Sequence, residues 1–317
     1  STFCRQAHIL YDLKGITVMR KLLAIWLGKL LTIVGKILGK KSSSSPGAYA
    51  LKICPDLVKG LEKCVSKGII VTCGTNGKTT TNNLMASALE AKGYKVMGVD
   101  LDPQGNFSSA CGSVNYNVPT VYELMKREVT AEEAIQHMKG GYDILPSNIM
   151  LAGAEQELSQ TGKEHRLKEA IAPVADKYDY IIIETPPSLG VLTVNAFTAA
   201  SDILIPTTAG IFATTGINQL NETVKSVQRY CNPNVKITGI LFTRFNPRAN
   251  ISKQIKELTE QLSEYISAPI YKTYIRSAVA VEEAQANRTD IFEYAEKSTV
   301  SEDYKAFIEE FLKGEVE

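Results

Sequence analysis

At 317 residues the chain is long enough for one large domain or two modest ones. Hydrophobic content of 44% and charged content of 22% exclude a fibrous or disordered chain, and a net charge of +1 confines any basic surface to a local patch. Six scattered Cys without a C-x-x-C pair, and three His far apart, argue against a disulfide framework, a zinc ribbon and a His-based metal site, and fit a reducing cytoplasm. No run of about 18 uncharged apolar residues is present, so no transmembrane helix is expected.

Residues 1–16 carry little signal, and a start at Ser1 without Met reads as a fragment or a processed or edited chain. Residues 17–41 are apolar with periodic lysines; Lys21, Lys29, Lys36 and Lys40 fall within about a 100° arc of a helix. Such a helix lies in a membrane surface with its lysines at the headgroups, or packs on its own domain or a partner. It lacks the small-residue cleavage site of a secretory signal. Ser42-Ser43-Ser44-Ser45-Pro46-Gly47 reads as a flexible linker, which divides an N-terminal extension (1–47) from a second domain (48–317). A short helix is expected over 55–66.

The next stretch organises the rest. Gly68 to Thr72 is an apolar strand, Cys73-Gly74-Thr75-Asn76-Gly77 a tight loop, and Lys78-Thr79-Thr80-Thr81 the start of a helix to about Ala91. Small residues ending in Gly-Lys-Thr suit a phosphate cradle: backbone N–H groups of Gly74, Thr75, Asn76, Gly77, Lys78, Thr79 and Thr80 can converge on an anion at a helix N-terminus. Lys78 would reach the terminal phosphates, and the Thr79 hydroxyl would ligate Mg²⁺. The spacing is not the full G-x-x-x-x-G-K-[ST], because Thr72 stands where its first Gly would be.

Strands and helices then alternate. A strand over 94–100 ends in the polar loop Asp100-Leu101-Asp102-Pro103-Gln104-Gly105-Asn106. Thr130-Ala131-Glu132-Glu133 reads as a capping box for a helix through Met138, followed by a strand over 142–145. Residues 163–177 read as a helix, and 178–183 as a buried strand ending at Glu184-Thr185-Pro186-Pro187. After a further helix come strand 203–206, helix 215–230, strand 236–243, helix 251–266 and a last helix at about 300–313. Continuous apolar strands mean burial on both faces, hence an α/β fold with a mainly parallel twisted sheet flanked by helices. Ligands of such sheets bind at the carboxyl ends of strands, where loops 74–80, 100–106 and 184–190 fall.

From about 84 to 317 the chain resembles the ParA-type partition ATPases, in the group of P-loop ATPases that includes MinD. The resemblance rests on Val99-Asp100-Leu101-Asp102-Pro103-Gln104-Gly105-Asn106, on Ile183-Glu184-Thr185-Pro186-Pro187-Ser188-Leu189-Gly190, on Leu192-Thr193-Val194-Asn195-Ala196 and on Asp202-Ile203-Leu204-Ile205-Pro206. From about 17 to 83, Leu23-Ala24-Ile25-Trp26-Leu27-Gly28-Lys29 and Gly74 to Asn83 resemble the Mur-ligase-like MurT-type subunit of the lipid II amidating enzyme, whose middle and C-terminal domains are not recognisable here. The chain therefore reads as a hybrid joined between about 79 and 98.

The first resemblance implies a P-loop ATPase using ATP and Mg²⁺, with Lys78 and Asp102 as catalytic residues. Asp102 would position the attacking water, or alternatively cap its own loop. Asp100 would support the loop and metal region, Glu184 would hold Mg²⁺ through water, and 186–190 would sense the nucleotide. It implies a homodimer on ATP binding, nonspecific DNA binding and a ParB-like centromere-binding partner in a nucleoid-associated cytoplasmic setting. Arg244, Arg248, Lys253, Lys272, Arg276 and Arg288 are the DNA-contact choices; a solvated surface charge is the alternative for each. Two departures stand out: Cys73 occupies the family's signature lysine position, and Glu184 stands where the family usually has Asp. Alternative functions are a non-hydrolysing nucleotide-dependent binding module and a Mur-ligase-like subunit for peptidoglycan amidation.

Overall fold

Five apolar runs set the centre of the molecule. Gly68–Thr72 (β1), Val96–Asp100 (β2) and Tyr180–Glu184 (β5) are buried at every residue, and Asp202–Thr207 (β6) at all but its first. Lys236–Phe242 (β7) is buried over its last four residues. In a computed structural model these strands join Asp143–Leu145 (β4) and Gln136–His137 (β3) in a seven-stranded sheet of order β3-β4-β2-β5-β1-β6-β7. Every pairing is parallel except β3 with β4, at one edge. Parallel strands need crossovers, and each crossover lays a helix over an apolar face, which is why strands such as Tyr180-Ile181-Ile182-Ile183 need not alternate. Complete burial of an Ile side chain contributes about 1.5–3 kcal/mol.

The structure describes residues 65–74, 76–113, 118–158, 161–210, 213–287, 289 and 291–314. Val65–Ser159 with Lys163–Glu317 form one compact unit. The expected amphipathic helix, the Ser-rich linker, the boundary at 47, nearly all of the 55–66 helix, Thr75 and Arg288 lie outside the described residues. Among the described residues no helix is long and apolar enough to cross a membrane.

The helices follow the chain. Lys78–Ala91 (α1) leaves the loop after β1, and Asn106–Ala110 (α2) follows β2. Val121–Lys126 (α3), Ala131–Ala134 (α4), Leu151–Glu157 (α5) and Arg166–Ile171 (α6) occupy the crossover region between β2 and β5. Val191–Ala199 (α7), Ala213–Tyr230 (α8) and Asn250–Ile266 (α9) follow β5, β6 and β7. Val279–Ala286 (α10), Ile291–Tyr294 (α11) and Thr299–Lys313 (α12) close the chain. Tyr304 and Phe307 of α12 are fully buried, with Phe307 edge-on to Tyr271 at 4.9 Å, and Tyr304 Oη lies 3.3 Å from Thr81 Oγ1 at the start of α1.

Two expected helices are corrected. The capping box at Thr130 and Glu133 forms, but its helix stops at Ala134 rather than Met138. Ile135 is already extended, and Gln136–His137 pair antiparallel with Asp143–Ile144 because the turn at Gly140–Gly141 folds the chain back, with the Met138 N–H donating to Tyr142 O at 3.0 Å. The helix expected over 163–177 breaks into a 3₁₀ turn (Lys163–His165), α6 and a second 3₁₀ turn (Ala175–Lys177). Pro173 ends α6, because it has no N–H to continue the helical ladder, although Ala172 before it keeps helical backbone angles.

Candidate functional site

The strand order places the functional loops side by side. β1 runs between β5 and β6, and β5 lies between β1 and β2, although the chain visits β2 long before β5. At the carboxyl ends this register sets Thr72, Glu184 and Asp100 in one rung, with Glu184 facing Thr72 on one side and Asp100 on the other. An open α/β sheet binds its ligands at such a reversal of strand order.

The loop after β1 is shaped by close approach. A Cβ on Gly74 would lie 2.3 Å from Pro206 O, and one on Gly77 would lie 2.7 Å from Thr243 Oγ1, with Gly77 also at φ 86. A side chain at Gly74 would press on backbone, and one at Gly77 would press on the Thr243 side chain in a left-handed conformation that favours glycine. Gly77 caps α1 without any side-chain hydrogen bond, and the first turn of α1 holds no acidic residue. The leading N–H groups of this 14-residue helix therefore face the cleft with their partial positive charge uncompensated by a cap. Lys78 is buried, and its Nζ donates to Gly74 O at 2.7 Å, folding the ammonium over the loop.

Thr79 and Glu184 are brought together across 105 residues: Thr79 Oγ1 donates to Glu184 Oε1 at 2.7 Å. Asn82 Nδ2 donates to Glu184 Oε2 at 3.2 Å, and Thr72 Oγ1 donates to Asn82 Oδ1 at 2.8 Å. The longer Glu side chain thus reaches the α1 hydroxyl directly. Burial pushes the Glu184 carboxyl up to about 8, and the Asp100 carboxylate on the next strand adds to the rise.

Asp100 and Asp102 divide their work. Asp100 is buried; its Oδ2 accepts from Ser108 N at 2.8 Å and Ser108 Oγ at 2.7 Å, and its Oδ1 from Asp102 N at 3.0 Å. Burial pushes its carboxyl up to about 6, while those hydrogen bonds restrain the rise. Asp100 therefore fixes the turn that carries Asp102. Asp102 caps Gln104 N through Oδ1 at 3.0 Å, and it lines the cleft.

The cleft measures about 420 Å³ and is walled by Asn76–Thr80, Asp102, Asn106, Ser109, Ala110, Glu184 and Arg244. Expected site residues Asn76, Gly77, Lys78, Thr79, Thr80, Asp102 and Glu184 thus meet in one place, with Gly74 beneath the Lys78 ammonium. Arg244, expected on a DNA surface, is in that wall too. Arg248 and Lys272 are exposed elsewhere, and the Arg276 guanidinium is held bidentate by Asp303, at 2.7 Å from Nη2 to Oδ1 and 2.9 Å from Nε to Oδ2. Cys73 is 3% exposed, and burial pushes its thiol up, so position 73 offers the cleft no cation. Sequence reasoning passed over Asn82 and Ser108, although both sit within a helical turn of a motif it singled out.

The cradle and donor set fit a nucleoside triphosphate with Mg²⁺. The Gly positions leave room for phosphate oxygens, the helix N-terminus and Lys78 supply positive charge, and a threonine hydroxyl with carboxylates is a hard oxygen set. Among the described residues no three His, Cys, Asp or Glu side chains form a metal site on their own. A cation here therefore needs phosphate oxygens to complete its shell, as Mg²⁺ characteristically does.

Comparison with known proteins agrees with the geometry. The AAA_31 profile, described as an AAA domain, matches residues 68–237 and so takes in β1 and the loop, upstream of residue 84. The chromosome partitioning protein ParA of Myxococcus xanthus is 37% identical over 76% of this chain and 85% of its own length. The sporulation initiation inhibitor protein Soj of Bacillus subtilis is 38% identical over 73% of this chain and 91% of its own. The crystal structure of cobyrinic acid a,c-diamide synthase from Mycobacterium smegmatis, with bound ATP analogue and magnesium, superposes with a TM-score of 0.67 at 30% identity, over 78% of this chain and 95% of that one. With the strand order, the rung of Thr72, Glu184 and Asp100 and the cleft above them, these matches establish that the chain belongs to the ParA-type partition ATPases of the AAA_31 family.

Proposed function

We propose that the chain binds ATP with Mg²⁺, hydrolyses it slowly, and acts in partition as a nucleotide-dependent dimer on nonspecific DNA with a ParB-like centromere-binding partner in the cytoplasm. The observation that carries this reading is the meeting of Lys78, Thr79, Asp102 and Glu184 in one cleft at the carboxyl ends of β1, β2 and β5. Backbone N–H groups of 74–80 hold the phosphates and Lys78 offsets their charge. Thr79 Oγ1 is the Mg²⁺ ligand, and Glu184, already bonded to that hydroxyl, orients it from behind. Mg²⁺ supplies charge neutralisation on the phosphate oxygens. Asp102 orients the attacking water from a turn that Asp100 makes rigid.

The buried Cys73 thiol favours a second reading, a binding module that takes ATP without turning it over. An ATPase assay with and without duplex DNA separates the two: slow hydrolysis raised by DNA supports the first, and nucleotide binding without hydrolysis in either condition supports the second. Restoring the family cation with Cys73→Lys should increase ATP-dependent dimers in light scattering; no change would count against a deficit at that position. On the DNA surface, Arg248→Ala should weaken binding at all sequences alike and lower the salt slope by about 1.

The N-terminal resemblance remains part of this proposal. Residues from about 17 to 83 read as a Mur-ligase-like N-terminal part fused to a partition ATPase, and the basic amphipathic stretch would contact a membrane surface or pack on its own domain or a partner. Ammonia- or glutamine-dependent amidation of lipid II tests whether any ligase function accompanies it.

A further inference from the structure

Four ionisable side chains line the cleft: Lys78, Asp102, Glu184 and Arg244. A nucleoside triphosphate remains anionic even with Mg²⁺, so a cleft that also holds carboxyl groups receives it better with more than one cation. The loop after β1 supplies Lys78 alone, because Cys73 is a buried thiol.

Arg244 is presented to the cleft by a backbone locked on both sides. The Thr243 N–H donates to Thr207 O at 2.7 Å, and the Phe245 N–H donates to Ile275 O at 2.9 Å. The buried Phe245 ring sits 5.2 Å from Phe242 and 5.1 Å from Tyr274. Thr243 lies against Gly77, which sets Arg244 beside the N-terminus of α1. Between these anchors Arg244 adopts φ 50, a left-handed conformation costly for a residue with a Cβ. Its guanidinium makes no hydrogen bond or ion pair among the described residues, whereas nearby Arg276 is tied to Asp303. Such a planar fork matches phosphate oxygens bidentately.

We propose that Arg244 is a nucleotide-binding residue that grips the phosphate tail from the β7 side of the cleft while Lys78 works from α1, rather than a DNA contact. The proposal rests on the nucleotide reading above and adds to it a second cation, carried by another strand.

The test is equilibrium titration of the full chain with a fluorescent ATP analogue and Mg²⁺, with displacement by inorganic tripolyphosphate, for wild type, Arg244→Gly, Arg244→Lys and, as a control on the exposed end of α8, Arg229→Ala. Glycine relieves the left-handed backbone, so Arg244→Gly should melt at or above the wild-type temperature without ligand. It should nevertheless bind both the analogue and tripolyphosphate about 10- to 100-fold more weakly, the usual cost of losing a charge-assisted contact. Arg244→Lys should fall between, and Arg229→Ala should match wild type. Binding by Arg244→Gly within twofold of wild type overturns the proposal, as does weaker analogue binding with tripolyphosphate displacement unchanged. Loss of DNA retention with nucleotide affinity intact also overturns it and assigns Arg244 to DNA. No analogue binding by wild type overturns the nucleotide reading itself, which separates the two failures.

Discussion

At the scale of single residues, the site is a set of side chains whose freedom has been removed. Glu184 shows this best: both its oxygens accept hydrogen bonds, from Thr79 and Asn82, so its carboxylate has one orientation. Glu184→Ala should therefore raise the Mg²⁺ concentration needed for half-maximal nucleotide binding by about 10- to 100-fold, the range seen when the partner of a metal ligand is removed. Titrating Mg²⁺ at fixed nucleotide measures it; an unchanged Mg²⁺ requirement would remove Glu184 from the metal site. Cys73 makes a simpler case. A buried thiol with its ionisation suppressed is a poor nucleophile, so iodoacetamide should modify Cys111 and Cys231 well before Cys73 in the native chain. Peptide mass spectrometry reads the order, and early modification of Cys73 would show that the loop opens.

At the scale of elements, α1 is held from several sides. Its first turns bond to β1 and β5 through Asn82, and to α12 through Thr81 and Tyr304. Phe307 anchors α12 against Tyr271, and a fully buried Phe exchanged for Ala costs about 3–5 kcal/mol. Phe307→Ala should lower the urea midpoint accordingly, with the slope unchanged; a shift equivalent to less than about 1 kcal/mol would mean that α12 is not part of the cooperative core. Elements were also where reading the sequence succeeded unevenly. The strands were plain because Ile181-Ile182-Ile183 and Ile203-Leu204-Ile205 are buried on both faces. The helix α3 carries the same capping box at Thr120 and Glu123 that was recognised at Thr130 and Glu133, yet was passed over. Pro173 is punctuation inside the helix expected over 163–177, whereas nothing local marks the change to extended chain at Ile135.

At the scale of the whole molecule, what was hidden was the order of strands. Nothing local says that β5 inserts between β1 and β2, and it is that insertion which puts Glu184 beside Thr72 and Asp100. Gly74, Asn76–Thr80, Asp102 and Glu184 stand out as candidates in the sequence because phosphate and metal chemistry would call for small residues, a Lys, a Thr and carboxylates in recognisable company. Arg244 was not readable as part of the cleft, because its direction depends on the pairing of Phe245 with the strand-like segment at Ile275 and on a left-handed backbone. Arg276 likewise looked like a free cation, although Asp303, 27 residues on, holds it. The central claim is that the cleft above β1, β2 and β5 is a nucleotide site built on Lys78. Calorimetric titration of ATP with Mg²⁺ into the wild type and into Lys78→Ala tests it most directly. Saturable one-site binding is expected of the wild type, with an affinity at least about 10-fold weaker in the variant. Equal affinity in the two proteins would contradict it.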